Sequence, residues 1–78
     1  MKFDKIKKLF IEIYEDVMEE NFNEDASMLN SAQWDSLKQI ILIAAIEDKI
    51  DLDIEFEDIL GMTSVKKILE IFKEKCEE

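Results

Sequence analysis

The stretch Ser36-Leu37-Lys38-Gln39-Ile40-Ile41-Leu42-Ile43-Ala44-Ala45-Ile46-Glu47-Asp48-Lys49-Ile50 decides the fold. Proline is absent from the whole chain and Gly61 is its only glycine, so tight-turn signals are few and helix is the default. A helix over 36–50 would be roughly 22 Å long at 1.5 Å per residue. Leu37, Ile40, Ile41, Leu42, Ile43, Ala44, Ala45 and Ile46 make it apolar on nearly every side. A helix of that kind is covered on most faces, which predicts it to be the central element, with Ile41 in the core.

Upstream of it, residues 21–35 lose the helical rhythm and are rich in Asn, Asp and Ser. They predict a long loop whose Phe22, Met28 and Leu29 tuck inward. A loop of about 15 residues is uncommon in a small domain and usually functional. Before it, Phe3, Ile6, Phe10, Ile13 and Val17 step by three and four, the stripe of an amphipathic helix. Its lysines crowd the N-terminal end and its carboxylates the C-terminal end, against the helix dipole, so packing has to hold it.

Downstream, a short helix is predicted near Ile54 to Leu60, with Phe56, Ile59 and Leu60 inward and Gly61 as a left-handed cap. Thr63 or Ser64 then starts a last helix, whose stripe is Val65, Ile68, Leu69, Phe72 and Cys76. The fold class is therefore all-α, a small four-helix bundle of three main helices and one short one. With 78 residues, a single domain over 1–78 is expected.

Composition narrows the function. Ten lysines and no arginine stand against 20 acidic residues, a formal net charge of -10. That field repels phosphate backbones and disfavours nucleic-acid binding. There is no histidine, the usual general base and commonest metal ligand. Cys76 is the only cysteine, which excludes an internal disulfide and a thiolate cluster and fits a reducing cytoplasm. No apolar run approaches the ~20 residues of a membrane span, and the start carries no signal-peptide core. An enzyme is not expected, and a Ser or Cys hydrolase is a poor fit, with Cys76 in the last turn of a core stripe.

Chemistry is best placed at Trp34-Asp35-Ser36-Leu37, where a polar loop meets the buried helix. Ser36 has two readings there. It is an N-cap, or it carries a phosphate-linked substituent, which the free amides and dipole of a helix start favour by ~0.3–1 kcal/mol. Position alone leaves both open.

Asp35-Ser36-Leu37, the aliphatic helix from Ile40 to Ile46, Glu47-Asp48-Lys49-Ile50, the acidic link Asp51-Leu52-Asp53-Ile54-Glu55-Phe56 and Thr63-Ser64-Val65 with Ile68 and Phe72 resemble the acyl carrier proteins. Asp-Ser-Leu by itself carries little; in register with both downstream blocks of an acidic chain this short, it is specific. The resemblance spans roughly Leu29 to Phe72. It implies 4'-phosphopantetheine, derived from coenzyme A, esterified to Ser36 by a phosphopantetheinyl transferase. The arm's thiol would carry acyl or aminoacyl groups between an activating ligase and downstream acyl-transferring enzymes. Asp35 would orient the loop or help place a metal in the transferase complex, or else only favour the helix N-terminus by its charge; Leu37 joins Ser36 and Asp35 in binding the arm, and the second and third helices could shelter an apolar cargo. The resemblance also implies a cytoplasmic, monomeric carrier that catalyses nothing.

The chain departs from the family pattern at the docking positions. Fatty-acid-synthesis members are usually acidic over the first turns of the second helix, where basic partners dock. Here those positions hold Lys38, Gln39 and Ile41, acidity resumes only at Glu47 and Asp48, and Trp34 replaces a small residue. Trp34, Lys38, Glu47 and Asp48 are therefore candidates for docking a different partner, in a specialised biosynthetic pathway. The rival class is an acidic helical interaction module without a prosthetic group. A calcium loop over Asp51, Asp53, Glu55 and Glu57 fails, because an EF-hand needs glycine at position six and a carboxylate at position twelve, and counting from Asp51 these are Phe56 and Met62.

Overall fold

Four helices order the chain in the computed structural model, which describes residues 2–76: α1 (Phe3–Met18), α2 (Ser36–Lys49), α3 (Phe56–Gly61) and α4 (Val65–Lys75). The helix starting at Ser36 falls where its sequence places it. Among the described residues no helix is long and apolar enough to cross a membrane.

α1 buries Ile6, Phe10, Ile13, Tyr14, Val17 and Met18, one continuous face at helical spacing. It packs against α2 and against α4, while α3 packs against α4. Aromatic rings run through the centre in tilted and edge-on contacts that suit their quadrupoles. Phe72 of α4 meets Phe10 at 5.7 Å between centroids, and Tyr14 of α1 meets Trp34 of the loop at 6.0 Å. Phe22 lies against both Phe10 and Tyr14.

The loop from 19 to 35 is held rather than free. Glu19 ends α1 in the left-handed region at φ 56°, and its N–H donates to the Glu15 carbonyl. Met28 N–H donates to the Thr63 carbonyl and Val65 N–H to the Ala26 carbonyl, both at 3.0 Å, which stitches the loop to the α3–α4 junction. Asn30 braces the stitch, accepting from Ser27 N–H and donating to the Asp25 carbonyl.

Several expectations need correction. The second helix is not covered on most faces. It buries Leu42, Ile43 and Ile46, but Leu37 is 65%, Ile40 67% and Ile41 43% exposed. The reason is tertiary: α1 covers one side, while the main packing of α3 is on α4. Leu29 projects fully into solvent, whereas Phe22 and Met28 pack against the core as expected. Of the third helix, Ile59 is half-buried while Phe56 and Leu60 are exposed. Gly61 is the last residue of that helix and has no positive φ. A Cβ there would meet Ile71 at an ordinary 3.7 Å, so no backbone requirement for glycine exists.

Candidate functional site

Ser36 opens α2 on the surface, at the end of the stitched loop. It is not the N-cap. That place belongs to Asp35, which has extended backbone angles and whose Oδ1 accepts from Lys38 N–H at 2.9 Å. The capping reading of Ser36 therefore falls. The serine hydroxyl is free of that structural duty and exposed, one residue inside a helix start whose dipole favours a negative group.

Three residues fix this corner from inside. The indole N–H of Trp34 donates to Gln39 Oε1 at 2.6 Å, and the Gln39 carboxamide N–H donates to the Met62 carbonyl at 2.6 Å. One amide thus ties the loop before Ser36, the first turn of α2 and the α3–α4 junction together. Gln39 was legible only as a polar residue interrupting an aliphatic helix; its partners lie outside the local sequence.

This geometry corrects the expectation for Trp34. At 2% exposure its ring is part of the core, so it cannot meet a partner. It sets the path of the loop into Ser36 instead. Lys38 is also committed: its ammonium donates to the Val17 carbonyl at 2.7 Å and lies 3.8 Å from a Glu19 carboxylate oxygen. Leu37 stands exposed beside Ser36, and Glu47 and Asp48 are exposed at the far end of α2.

Among the described residues, no group of three or more acidic or thiol side chains is placed to hold a metal ion. The site offers an exposed serine above the hydrogen-bonded Trp34–Gln39–Met62 bridge, with Asp35 Oδ1 engaged by Lys38 N–H.

No family model matches the chain. Individual relatives do. An acyl carrier protein of Buchnera aphidicola subsp. Acyrthosiphon pisum (strain Tuc7) is 32% identical over 72 residues, 92% of this chain and 89% of the relative. One from Desulforapulum autotrophicum is 31% identical over 71 residues, covering 91% and 92% of the two chains. A third, from Buchnera aphidicola subsp. Schizaphis graminum, reaches 35% over 71 residues. The chain belongs to the acyl carrier protein family. Matches of this extent run through α1 as well as the blocks from Leu29 to Phe72 in which the resemblance was legible. The four-helix order is what an acyl carrier protein of this length is expected to have.

Proposed function

We propose that the protein is an acyl carrier whose Ser36 is the attachment point for 4'-phosphopantetheine, over a single domain spanning 1–78. The observation that carries this reading is the division of labour at the start of α2. Asp35 supplies the cap and Ser36 keeps an exposed hydroxyl at a helix N-terminus. When bound, the group supplies a terminal thiol on which acyl or aminoacyl cargo is held as a thioester. The chain's own residues hold and orient: Asp35 and the Trp34–Gln39–Met62 bridge keep the serine at a fixed place on the surface. With no histidine in the chain, the proton of the Ser36 hydroxyl is removed by the phosphopantetheinyl transferase.

The surface of α2 supports a specialised pathway rather than housekeeping fatty-acid synthesis. Its first turns present Leu37, Ile40 and Ile41 and only one charged side chain, Lys38, which is already engaged. Glu47 and Asp48 remain available for docking an activating ligase or an acyl-transferring enzyme.

Incubation with coenzyme A, magnesium and a broad-specificity phosphopantetheinyl transferase is expected to add one phosphopantetheine mass, and Ser36→Ala to abolish the gain. A folded wild type left unmodified by several transferases, including that of its own host, overturns the carrier reading in favour of an acidic interaction module.

A further inference from the structure

We infer that the chain associates with a second copy of itself, Phe56 of one copy entering a hollow between α1 and α4 of the next. The inference stands apart from the carrier reading, and it departs from the monomer that the family resemblance implies.

Phe56 opens α3 with 72% of its surface in water, and its neighbours Glu55 and Glu57 are exposed with it. Leu60, one turn on, is 63% exposed, so the two make an apolar ridge on this short helix. The hollow is its complement. Phe3 of α1 and Leu69 of α4 line it together with Lys66, Glu70 and Lys73, and its volume is about 280 Å³. A cavity of about 150 Å³ takes a benzene ring, so one phenylalanine side chain fits. The lining sets two ammonium groups against one carboxylate, which favours the pair of glutamates that flank Phe56.

Charge identifies the occupant. Eight of the ten lysines lie in 2–8 and 66–75, where only three acidic residues, Asp4, Glu70 and Glu74, accompany them. α1 packs on α4, which brings these two segments side by side around the hollow. The chain leading into α3 has the opposite character, with Glu47, Asp48, Asp51, Asp53, Glu55 and Glu57 all exposed. A copy that presents α3 to the hollow therefore meets opposite charge, although each copy carries -10. At about 0.1 M salt, charges more than about 10 Å apart are largely screened, so the contact pairs outweigh the net repulsion. Lys66 lies 3.2 Å from Asp25 in an exposed pair of small worth, and Lys73 forms no ion pair among the described residues. Because ridge and hollow are different surfaces, the contact is head-to-tail, and a footprint of one ring and its flanking charges makes it weak, half complete at about 0.1–1 mM. Ser36 is remote from the hollow. Lys38, two residues on from it, reaches Val17, and Phe3 stands about 21 Å from Val17 along α1.

Sedimentation velocity of the full, unmodified chain from about 0.05 mM to about 1 mM in about 0.1 M NaCl tests this. The weight-average coefficient of the wild type is expected to rise with concentration. Phe56→Ser moves half-association up by about tenfold or more, as loss of a central anchor does. Lys73→Glu and Glu57→Lys each move it up by about threefold or more. An equimolar mixture of those two variants recovers the association, because the hollow of one then suits the ridge of the other. Ile40→Ser, on α2, keeps the wild-type behaviour. All four positions are exposed, and recovery in the mixture requires both variants to be folded. A wild type that is monomeric throughout overturns the inference. So does association that survives both Phe56→Ser and Lys73→Glu, or that Ile40→Ser abolishes, which places the contact on α2. A monomeric wild type that pellets with phosphatidylglycerol vesicles, and loses this in Lys73→Glu, assigns the hollow to anionic lipid instead.

Discussion

Asp35 and Ser36 show how one position along the chain separates a structural role from a chemical one. The cap bond of α2 goes to the aspartate, so the serine a residue later is not the cap and stands exposed at the surface. Behind them Gln39 is the residue on which the corner depends. Its carboxamide satisfies the Trp34 indole and the Met62 carbonyl at once, and no aliphatic replacement offers either partner. Gln39→Leu is expected to cost about 1–3 kcal/mol, because both groups lose their partner in a partly buried setting. Urea unfolding followed by the fluorescence of Trp34, the only tryptophan, reads this directly, and a variant as stable as wild type contradicts the role given to the bridge.

At the scale of elements, α1 and α3 depend on their neighbours. α1 ends in carboxylates and has no basic residue in its last turn, an arrangement its dipole disfavours. The missing cation arrives from α2, where Lys38 reaches the Val17 carbonyl. α3 is six residues, too short to persist alone, and is fastened twice. Glu55 and Asp58 form a capping box, and Asp58 meets Lys75 of α4 at 2.9 Å. The Lys75 ammonium, then the Glu55 N–H, hold the Asp58 carboxyl below its ordinary range, and Asp58 holds Lys75 above its own. The sign follows for each group. The Asp58 contribution is complete above the ordinary aspartate value and is lost as pH falls through its depressed one. The Lys75 contribution is complete below the ordinary lysine value and is lost as pH rises through its raised one. Lys75→Met should therefore lower stability at neutral pH and flatten the wild type's decline at both extremes. Thermal unfolding across pH, variant against wild type, isolates this pair from the other carboxylates; parallel curves would show that it contributes nothing.

Over the whole molecule the net charge of -10 acts on a small core, built from sixteen buried apolar residues among those described. Like charges at this density repel across the surface, and ions screen them within about 10 Å at about 0.1 M salt. Raising NaCl from about 0.05 M to about 0.5 M is accordingly expected to raise the Tm, whereas a net gain from surface ion pairs would make it fall. Scanning calorimetry at the two salt concentrations decides between them.

The number, order and approximate limits of the helices were determined by the sequence alone, as were α1's buried stripe and the junction at Ser36. These follow from periodicity, missing breakers and capping residues, all of which act within a few positions along the chain. Which side of α2 is buried was not local information. Its residues are aliphatic all round, so burial there depends on where α1 and α3 come to rest, and α3 rests on α4. Trp34 moved from surface to core and Lys38 from docking to the end of α1 for the same reason. Their partners Tyr14 and Val17 lie some twenty residues earlier and meet them only when the bundle closes. Local pattern sets what a segment forms; packing between distant segments sets which of its side chains face a partner.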